Sequence, residues 1–218
     1  MPKLSFIIAA HSRPNALRTC LSSIVQQTFE DWEAIVTDNA EDLGCRQANG
    51  YMCSIADEQR IKYFPTYLNY DARISQYHSS KWAAANVARG EWLCFPSDDS
   101  YYVFDFASKL LAAGETGLGC DIPTGGAPGP LDLVGCDFVW GRRDGNGGNV
   151  WTYCDFGPQV CHFDKTVFIV RREWFNRIEW QGDISIPNYP NDGLMAEKMV
   201  AEGARVGRVV EQLCVHNP

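Results

Sequence analysis

Short apolar segments alternate with longer amphipathic segments through the first half of the chain. Residues 4–10, LSFIIAA, are an apolar run bounded by polar residues, which is typical of a buried strand. Apolar residues recur at helical spacing over 14–27, which predicts an amphipathic helix with Ser12 as its N-cap and Pro14 in its first turn. By the same criteria we predict strands at 32–37, 61–64 and 92–95, a loop at 65–78, and helices at 47–58, 80–88 and 103–113. This alternation predicts an α/β fold whose first half is a parallel sheet with helices on both faces.

The second half begins with a segment rich in Gly and Pro, residues 114–130, which predicts a flexible connection. Beyond it, the pattern predicts strands near 131–140, 149–154, 166–170 and 205–210, and helices near 171–178 and 193–202. A chain of 218 residues is long enough to bury one sizeable core. We therefore predict a single domain over 1–218 rather than two domains joined at the Gly/Pro segment.

The composition is that of an ordinary globular protein, with 45% hydrophobic and 21% charged residues. The formal net charge of -8 argues against broad contact with a nucleic-acid backbone or anionic lipid, because both reward clustered Lys and Arg. No segment has the roughly 18 consecutive apolar residues of a membrane span, and the N-terminal apolar run is too short for a signal peptide. The nine cysteines include no C-x-x-C pair, which favours reduced, mostly buried thiols and a cytoplasmic protein.

Three polar groups follow predicted strands of the first half. They are His11 to Arg13 after the first strand, Asp38 after the second, and the pair Asp98–Asp99 after the strand at 92–95. Ligands of open parallel sheets bind beyond the carboxyl ends of the strands, so we expect these groups to converge on one cleft. The sequence has neither a G-x-x-x-x-G-K-S/T loop nor a G-x-G-x-x-G after a strand. Phosphate binding would therefore use a divalent metal such as Mg²⁺ or Mn²⁺, which prefers carboxylate oxygens.

Four segments, in the same order, resemble the inverting glycosyltransferases of the GT-A fold, in the large family 2 group. LSFIIAAHSRPNALRTCLSSIVQQTFEDWEAIVTDNA is similar to the opening of that family, in which a strand, an Arg-Pro turn and a helix lead to a strand that closes on Asp. ARGEWLCFPSDDSYY resembles its metal and nucleotide motif, DKTVFIVRREWF its later strand and helix start, and NDGLMAEKMVAEGARVGRV the helix that carries the catalytic base. The resemblance implies a mixed, mostly parallel sheet flanked by helices. It also implies a nucleotide-binding half at 1–113 and an acceptor-binding half at 114–218.

The resemblance further implies metal-assisted, inverting transfer of a sugar from a UDP- or GDP-linked donor to a hydroxyl of a glycan or glycoconjugate, with Mn²⁺ or Mg²⁺ as cofactor. It implies nucleotide contacts by Ala9, His11, Arg13, Asp38, Lys81 and Asp98, metal contacts by Asp99, Asp98 and His216, and a general base at Asp192. A metal would stabilise the charge that develops on the departing diphosphate, and a carboxylate would take the acceptor proton. Asp192 precedes an apolar helical pattern, so the helix dipole would lower its basicity and an apolar acceptor pocket would raise it.

The sequence departs from the family pattern at two places. The carboxylates are adjacent in SDDS rather than spaced as D-x-D, which leaves open how the two divide their roles, and Asn191 stands where an acidic residue usually precedes the base. Asp192 is alternatively a helix N-cap, and the Asp98–Asp99 pair alternatively a turn. The aromatic residues Trp140, Trp151, Tyr153 and Trp180 either line an acceptor sugar or, as is more usual for aromatic residues, pack in the core.

Two other functions are compatible with the same sequence. A nucleotidyltransferase shares the sheet but usually carries a Gly-rich, basic loop after the first strand, which the HSRPN segment lacks. A non-catalytic module that binds a sugar nucleotide or a glycan would keep the fold and lose the catalytic site. Nucleotide binding without turnover would favour the binding module, so activity measurements separate it from the transferase.

Overall fold

The computed structural model describes residues 1–57, 59–66, 83–84, 86–122, 127–144, 148–159, 164–178 and 191–216. The strands in this part are β1 Leu4–Ala10, β2 Trp32–Asp38, β3 Ile61–Pro65, β4 Trp92–Cys94, β5 Ser100–Tyr102, β6 Leu133–Arg143, β7 Asn149–Cys154, β8 Phe168–Arg171 and β9 Val206–His216. The helices are α1 Pro14–Val25, α2 Leu43–Ala56, α3 Phe106–Thr116, α4 Arg172–Arg177 and α5 Asn191–Ala201, with a 3-10 turn at Lys165–Val167.

All of these strands belong to one sheet, in the order β3-β2-β1-β4-β8-β6-β9-β5, with β7 paired to β6. The strands β3, β2, β1 and β4 are parallel, as predicted for the first half. In the second half, β8 runs antiparallel to β4 and β6, whereas β9 is parallel to β6. The predicted α/β class, a mixed and mostly parallel sheet flanked by helices, is confirmed.

The burial of the central strands explains why they are rich in apolar residues. Every residue of β1 and β2 is buried, which is expected where helices cover both faces of a parallel sheet. Aromatic side chains continue the core into β5 and α3, since the ring of Tyr102 lies 6.2 Å from that of Phe6 and 4.4 Å from that of Phe106. The strand that follows the carboxylate pair is therefore anchored in the main core.

The ends of several elements differ from the predictions. Ser12 is not the N-cap of α1: Arg13 occupies that position, without a side-chain capping bond, while Pro14 starts the helix as predicted. Helix α2 begins four residues earlier than predicted, because the Asp42 carboxylate accepts a hydrogen bond from the Cys45 amide at 2.8 Å. Strand β5 was not predicted, and β9 continues to His216 instead of ending near residue 210.

Some predictions concern residues that the structure does not describe. Three sets of predictions lie outside the described residues: the predicted loop 65–78 beyond residue 66, Trp180, and residues 80–82 and 85 of the predicted helix 80–88. Within that helix, 83–84 and 86 are helical. Eight of the nine cysteines are in the described part; all eight are free thiols, and five of them are buried.

None of the helices that the structure describes has the length and apolar character needed to cross a membrane. The cytoplasmic location stays a prediction.

Candidate active site

Strand pairing brings the carboxyl ends of three strands together. Strands β1 and β2 are in register to their last residues, so Ala10 lies beside Asp38. An isolated parallel bridge joins Ala9 to Ser97, just beyond the end of β4. The three segments predicted to converge therefore start from neighbouring positions at the carboxyl ends of these strands.

His11 connects these segments. Its backbone amide donates to Asp98 Oδ2 at 3.1 Å, and its Nδ1 lies 3.1 Å from Asn39 Oδ1. The side-chain amide of Asn49, on α2, donates to the His11 carbonyl at 2.6 Å. The turn after β1 is thus held on one side by the carboxylate pair and on the other by the segment after β2.

The carboxylate pair is buried and shares one guanidinium group. The side chains of Asp98 and Asp99 are 1% and 9% exposed, whereas that of Arg13 is 44% exposed. Arg13 donates from Nη2 to Asp98 Oδ1 and from Nη1 to Asp99 Oδ2. Burial raises the pKa of Asp98 against the opposing charge of Arg13. Burial also acts on Asp99, but hydrogen bonding and charge from His216, together with Arg13, hold its pKa below the usual value.

His216, at the end of β9, lies between two carboxylates. Its Nε2 is 3.4 Å from Asp99 Oδ1, and its Nδ1 is 2.8 Å from Asp164 Oδ2. The other oxygen of Asp164 accepts from the amide and the hydroxyl of Thr166 at 2.9 and 2.8 Å. Burial alone would lower the pKa of His216, but the two carboxylates raise it to about 10. The imidazole is therefore protonated in this arrangement.

Asp164 is a site residue that the sequence analysis missed. Its side chain is partly buried, which alone would raise its pKa, yet the hydrogen bonds and charge of His216 and the bonds from Thr166 lower its pKa to about 2. The available signal was the D-x-T spacing in DKT, which is typical of an Asp that caps a turn. That signal indicates a turn and gives no indication of the contact with His216.

Asp192 lies in the first turn of α5, as predicted. Its Oδ2 accepts a hydrogen bond from the Lys165 amide at 3.2 Å. The residue is partly exposed, but Oδ1 is shielded from solvent and has no hydrogen-bond partner among the described residues. Burial, the largest effect, and the neighbouring Asp164 raise the pKa of Asp192 to about 7, against the lowering effects of Lys165 and His216. Burial therefore outweighs the effect of the helix dipole expected from the sequence.

Asp38 is fully buried, and both of its carboxylate oxygens are hydrogen-bonded. Oδ1 accepts from the Ala40 amide at 2.8 Å, and Oδ2 accepts from Asn49 at 3.0 Å and from the Tyr63 hydroxyl at 2.6 Å. In this arrangement Asp38 fixes the segment after β2. Oδ1 could accept one more hydrogen bond, so a nucleotide base could donate to Asp38 only if this fully buried carboxylate became accessible to it.

Apart from Asp38 and Asp192, the predicted site residues divide into three groups. The structure brings together His11, Arg13, Asp98, Asp99 and His216. Ala9 is buried within β1, where it pairs with Thr37 of β2 and bridges to Ser97. Lys81 lies outside the described residues.

The carboxylate pair fits a divalent cation through its donor chemistry. Asp99 Oδ1 is a buried oxygen with no well-aligned hydrogen bond in the described part, where it has the longer contact with His216 Nε2 at 3.4 Å. Within the described residues, no group of three His, Cys, Asp or Glu side chains has the spacing of a complete metal site. Mg²⁺ commonly uses only one or two carboxylates and completes its coordination with substrate phosphates, so two adjacent aspartates could serve as its protein ligands in place of the Arg13 guanidinium that bridges them here.

Two relatives match about half of the chain. The GalNAc(5)-diNAcBac-PP-undecaprenol beta-1,3-glucosyltransferase of Campylobacter jejuni subsp. jejuni serotype O:2 is 30% identical over 117 residues, which are 54% of this chain and 36% of that protein. Protein CgeD of Bacillus subtilis (strain 168) is 22% identical over 111 residues, which are 50% of this chain and 25% of CgeD. The chain therefore matches well under half the length of these relatives.

Solved structures share the fold over almost the whole chain. The mannosyltransferase PcManGT from Pyrobaculum calidifontis, in complex with GDP-Man and Mn²⁺, has a TM-score of 0.68 at 16% identity, covering 98% of this chain and 56% of that chain. S. aureus TarS 1–349 in complex with UDP-GlcNAc has a TM-score of 0.67 at 15% identity, covering 99% and 58%. At these identities the likeness establishes the fold, and both neighbours extend well beyond it.

The family comparison covers the segment that builds most of the site. Residues 5–125 match the family described as Glycosyl transferase family 2, and they include β1 from Ser5 onward, β2 and the Asp98–Asp99 pair. This segment is more than half of the chain, and it contains two of the four segments whose resemblance to that family is given above. The chain belongs to glycosyl transferase family 2.

Proposed function

We propose that this chain transfers a sugar from a UDP- or GDP-linked donor to a hydroxyl of a glycan or glycoconjugate, with inversion at the anomeric carbon. Its family supports a nucleotide-sugar donor, and neighbours of the same fold were solved with UDP-GlcNAc and GDP-Man. One observation carries the proposal: polar contacts run from Arg13 and the carboxylate pair through His216 to Asp164, next to the Lys165 amide that binds Asp192. The proposed donor and base residues thus form one connected site.

In this proposal each half of the chain has its own substrate. The donor nucleotide binds to residues 1–113, through the backbone at Ala9 and the side chains of His11, Arg13, Asp38, Lys81 and Asp98. The acceptor binds to residues 114–218, which carry Asp192. Asp98 and Asp99 would hold the divalent metal, and His216 would join them as a ligand only after losing the proton that it carries in this arrangement. The metal would supply Lewis-acid stabilisation of the charge on the diphosphate.

Asp192 is the general base of the proposed reaction. The pKa of Asp192 is about 7, so its carboxylate is ionised at higher pH, and the shielded Oδ1 then accepts the proton of the acceptor hydroxyl. The hydroxyl oxygen forms a bond to the anomeric carbon while the bond from that carbon to the diphosphate oxygen breaks, and the bonding electrons leave with the diphosphate. Attack from the face opposite the leaving group inverts the configuration. The guanidinium of Arg13, at the carboxylate pair, adds positive charge near the departing diphosphate.

An Asp192→Asn variant tests the assignment. A panel of UDP- and GDP-sugars with Mn²⁺ is assayed for release of UDP or GDP, with and without glycan acceptors, and nucleotide binding is followed by thermal shift. We expect turnover to fall by about 10²–10⁴-fold in the variant, with the nucleotide-induced shift unchanged. Glu197→Gln, which removes a charge from an exposed position on the same helix, serves as the control and should keep full turnover.

Nucleoside triphosphates, with pyrophosphate release as the readout, are added to the panel so that each alternative function has its own outcome. Full turnover by the Asp192→Asn variant would show that Asp192 is not the base. Release of pyrophosphate from a nucleoside triphosphate would indicate a nucleotidyltransferase. Nucleotide binding without turnover of any donor in the panel would indicate a binding module.

A further inference from the structure

The β6–β7 hairpin exposes three large aromatic side chains. Trp140 is 46% exposed, Trp151 44% and Tyr153 75%. Packing in the core, the more usual role for aromatic residues, is therefore wrong for these three, and Trp180 lies outside the described residues. Large apolar groups left in water on one hairpin commonly mark a binding surface.

Strand register places Trp140 on the same face of the sheet as His216. The two residues are partners in the parallel β6–β9 pair, and Trp140 is also the partner of Thr152 in the antiparallel β6–β7 pair. Partners in a ladder project to the same face, with neighbouring strands about 4.8 Å apart. Because His216 contacts Asp99 and Asp164, the face that carries Trp140 is the face of the proposed active site.

The other two aromatic residues lie on the opposite face. Trp151 pairs with Gly141 and Tyr153 with Val139, each one position away from the Trp140–Thr152 pair. Side chains alternate along a strand, so these two residues point away from the proposed site. The hairpin thus contains two tryptophans of nearly equal exposure, and only Trp140 is next to His216.

We infer that Trp140 is the platform on which a sugar ring of the acceptor stacks, and that the acceptor is a saccharide lying along the β6–β7 hairpin. This inference rests on the proposed function. The carbon-bound hydrogens of a sugar ring form an apolar face that an exposed indole can cover, which removes apolar area of both partners from water. The ring hydroxyls require hydrogen-bonding groups, and the exposed residues Thr152 and Arg142 lie on the same face as Trp140.

The position of Trp140 also accounts for a difference in chemistry between the two ends of the site. The donor end consists of charged groups, namely Arg13 and the two adjacent aspartates, and these suit a diphosphate. On the other side of His216, β6 presents an indole and β7 presents a hydroxyl. A neutral, hydroxylated ring suits the second environment, and a diphosphate suits the first.

The experiment compares Trp140→Ala with Trp151→Ala, which removes the same side chain at similar exposure from the opposite face. Binding of the wild-type chain and both variants is measured on an array of immobilised oligosaccharides. Thermal shift with UDP or GDP plus Mn²⁺ is measured in parallel. We expect Trp140→Ala to weaken saccharide binding about tenfold, Trp151→Ala to keep it, and both to keep the nucleotide-induced shift. Trp140→Phe should recover part of the affinity, because a smaller aromatic ring can still stack.

The outcomes separate this inference from the proposed function. Equal saccharide affinities for Trp140→Ala and Trp151→Ala, or a wild-type chain that binds no saccharide on the array, would overturn the role of Trp140. A wild-type dimer that Trp140→Ala converts to a monomer, measured by light scattering, would instead make this surface a subunit interface and would also overturn it. Absence of any nucleotide-induced shift in the wild type would count against the proposed function, while the comparison of the two tryptophans on the array would remain decisive.

Discussion

The Asp192→Asn substitution should have two opposite effects. It removes the proposed general base, which lowers turnover, and it removes a carboxyl whose ionisation lowers the stability of the folded protein. Asparagine keeps the shape of the side chain, and its oxygen can still accept the hydrogen bond from the Lys165 amide. It cannot ionise. Because burial raises the pKa of Asp192 from 3.8 to about 7, ionising this carboxyl is less favourable in the folded protein than in the unfolded chain. We therefore expect the inactive variant to be more stable than the wild type at pH 8.

The sign and the pH window follow from the two pKa values of Asp192. Below about pH 3.8 the carboxyl is protonated in both states, so the substitution changes little. From there to about pH 7 the unfolded chain ionises and the folded protein keeps its proton, so wild-type stability falls relative to the variant. Above about pH 7 the difference is constant.

The magnitude follows from the same values. Moving a carboxyl pKa from 3.8 to about 7 corresponds to at most about 4 kcal/mol, and the partial exposure of Asp192 reduces this to about 1–2 kcal/mol. In a domain of this size, 1 kcal/mol corresponds to about 2–4 °C in Tm. We therefore expect a gain of about 2–8 °C at pH 8 and almost none at pH 4.

Thermal unfolding of the wild type and the variant, followed by circular dichroism at pH 4, 6 and 8, measures this difference. Asp164→Asn gives a contrast of opposite sign, because it removes the negative charge that faces His216 at 2.8 Å and weakens the bonds from Thr166. That variant should be less stable by about 1–3 kcal/mol at pH 8. If Asp192→Asn is no more stable than the wild type at pH 8, or gains as much at pH 4, the carboxyl is not held at a raised pKa and the reasoning fails.

Two further substitutions test the packing that supports the site. Tyr63→Phe removes the hydroxyl that donates to Asp38 at 2.6 Å, so we expect a loss of about 1–2 kcal/mol in urea unfolding and weaker binding of UDP or GDP; an unchanged midpoint would contradict this. Gly135→Ala would place a Cβ 2.1 Å from the ring of Phe156, which should cost about 1–3 kcal/mol. Adding Phe156→Ala should reduce the cost of the alanine at 135, and simple additivity of the two changes would show that the ring is not the cause.

The elements that the sequence predicted well are those whose local pattern and burial agree. Strand β1 has the predicted bounds, because all seven residues of LSFIIAA are buried. Strand β5 has only three residues and exists because Ser100 to Tyr102 pair with β9 more than 100 residues later in the chain. Such long-range pairing leaves no periodic pattern in so short a segment. The same pairing extends β9 to His216.

The candidate site divides in a similar way. Asp98, Asp99 and Asp192 could be identified because they lie in segments that resemble a family as continuous stretches of sequence. Asp164 opens another of these segments, DKTVFIVRREWF, but the resemblance assigns it no role, and its importance comes from its contact with His216, 52 positions away. Asn49 and Tyr63 were missed for a related reason: each binds Asp38 from a separate element, α2 and β3 respectively. Residues that position others are defined by packing, which the local sequence does not record.

The irregularity in β9 is what brings the two ends of the site together. Along β6, Trp140 is four positions after Cys136, whereas along β9 His216 is seven positions after Val209, although these residues are partners in the ladder. Three additional residues of β9 therefore bulge out of the ladder between these points, as often occurs near active sites. Without them Leu213 would be the partner of Trp140, and His216 would lie three residues further on, away from both the carboxylate pair and the hairpin. The bulge thus fixes the spacing between the proposed donor and acceptor positions, because it sets which residue of β9 occupies the place between them.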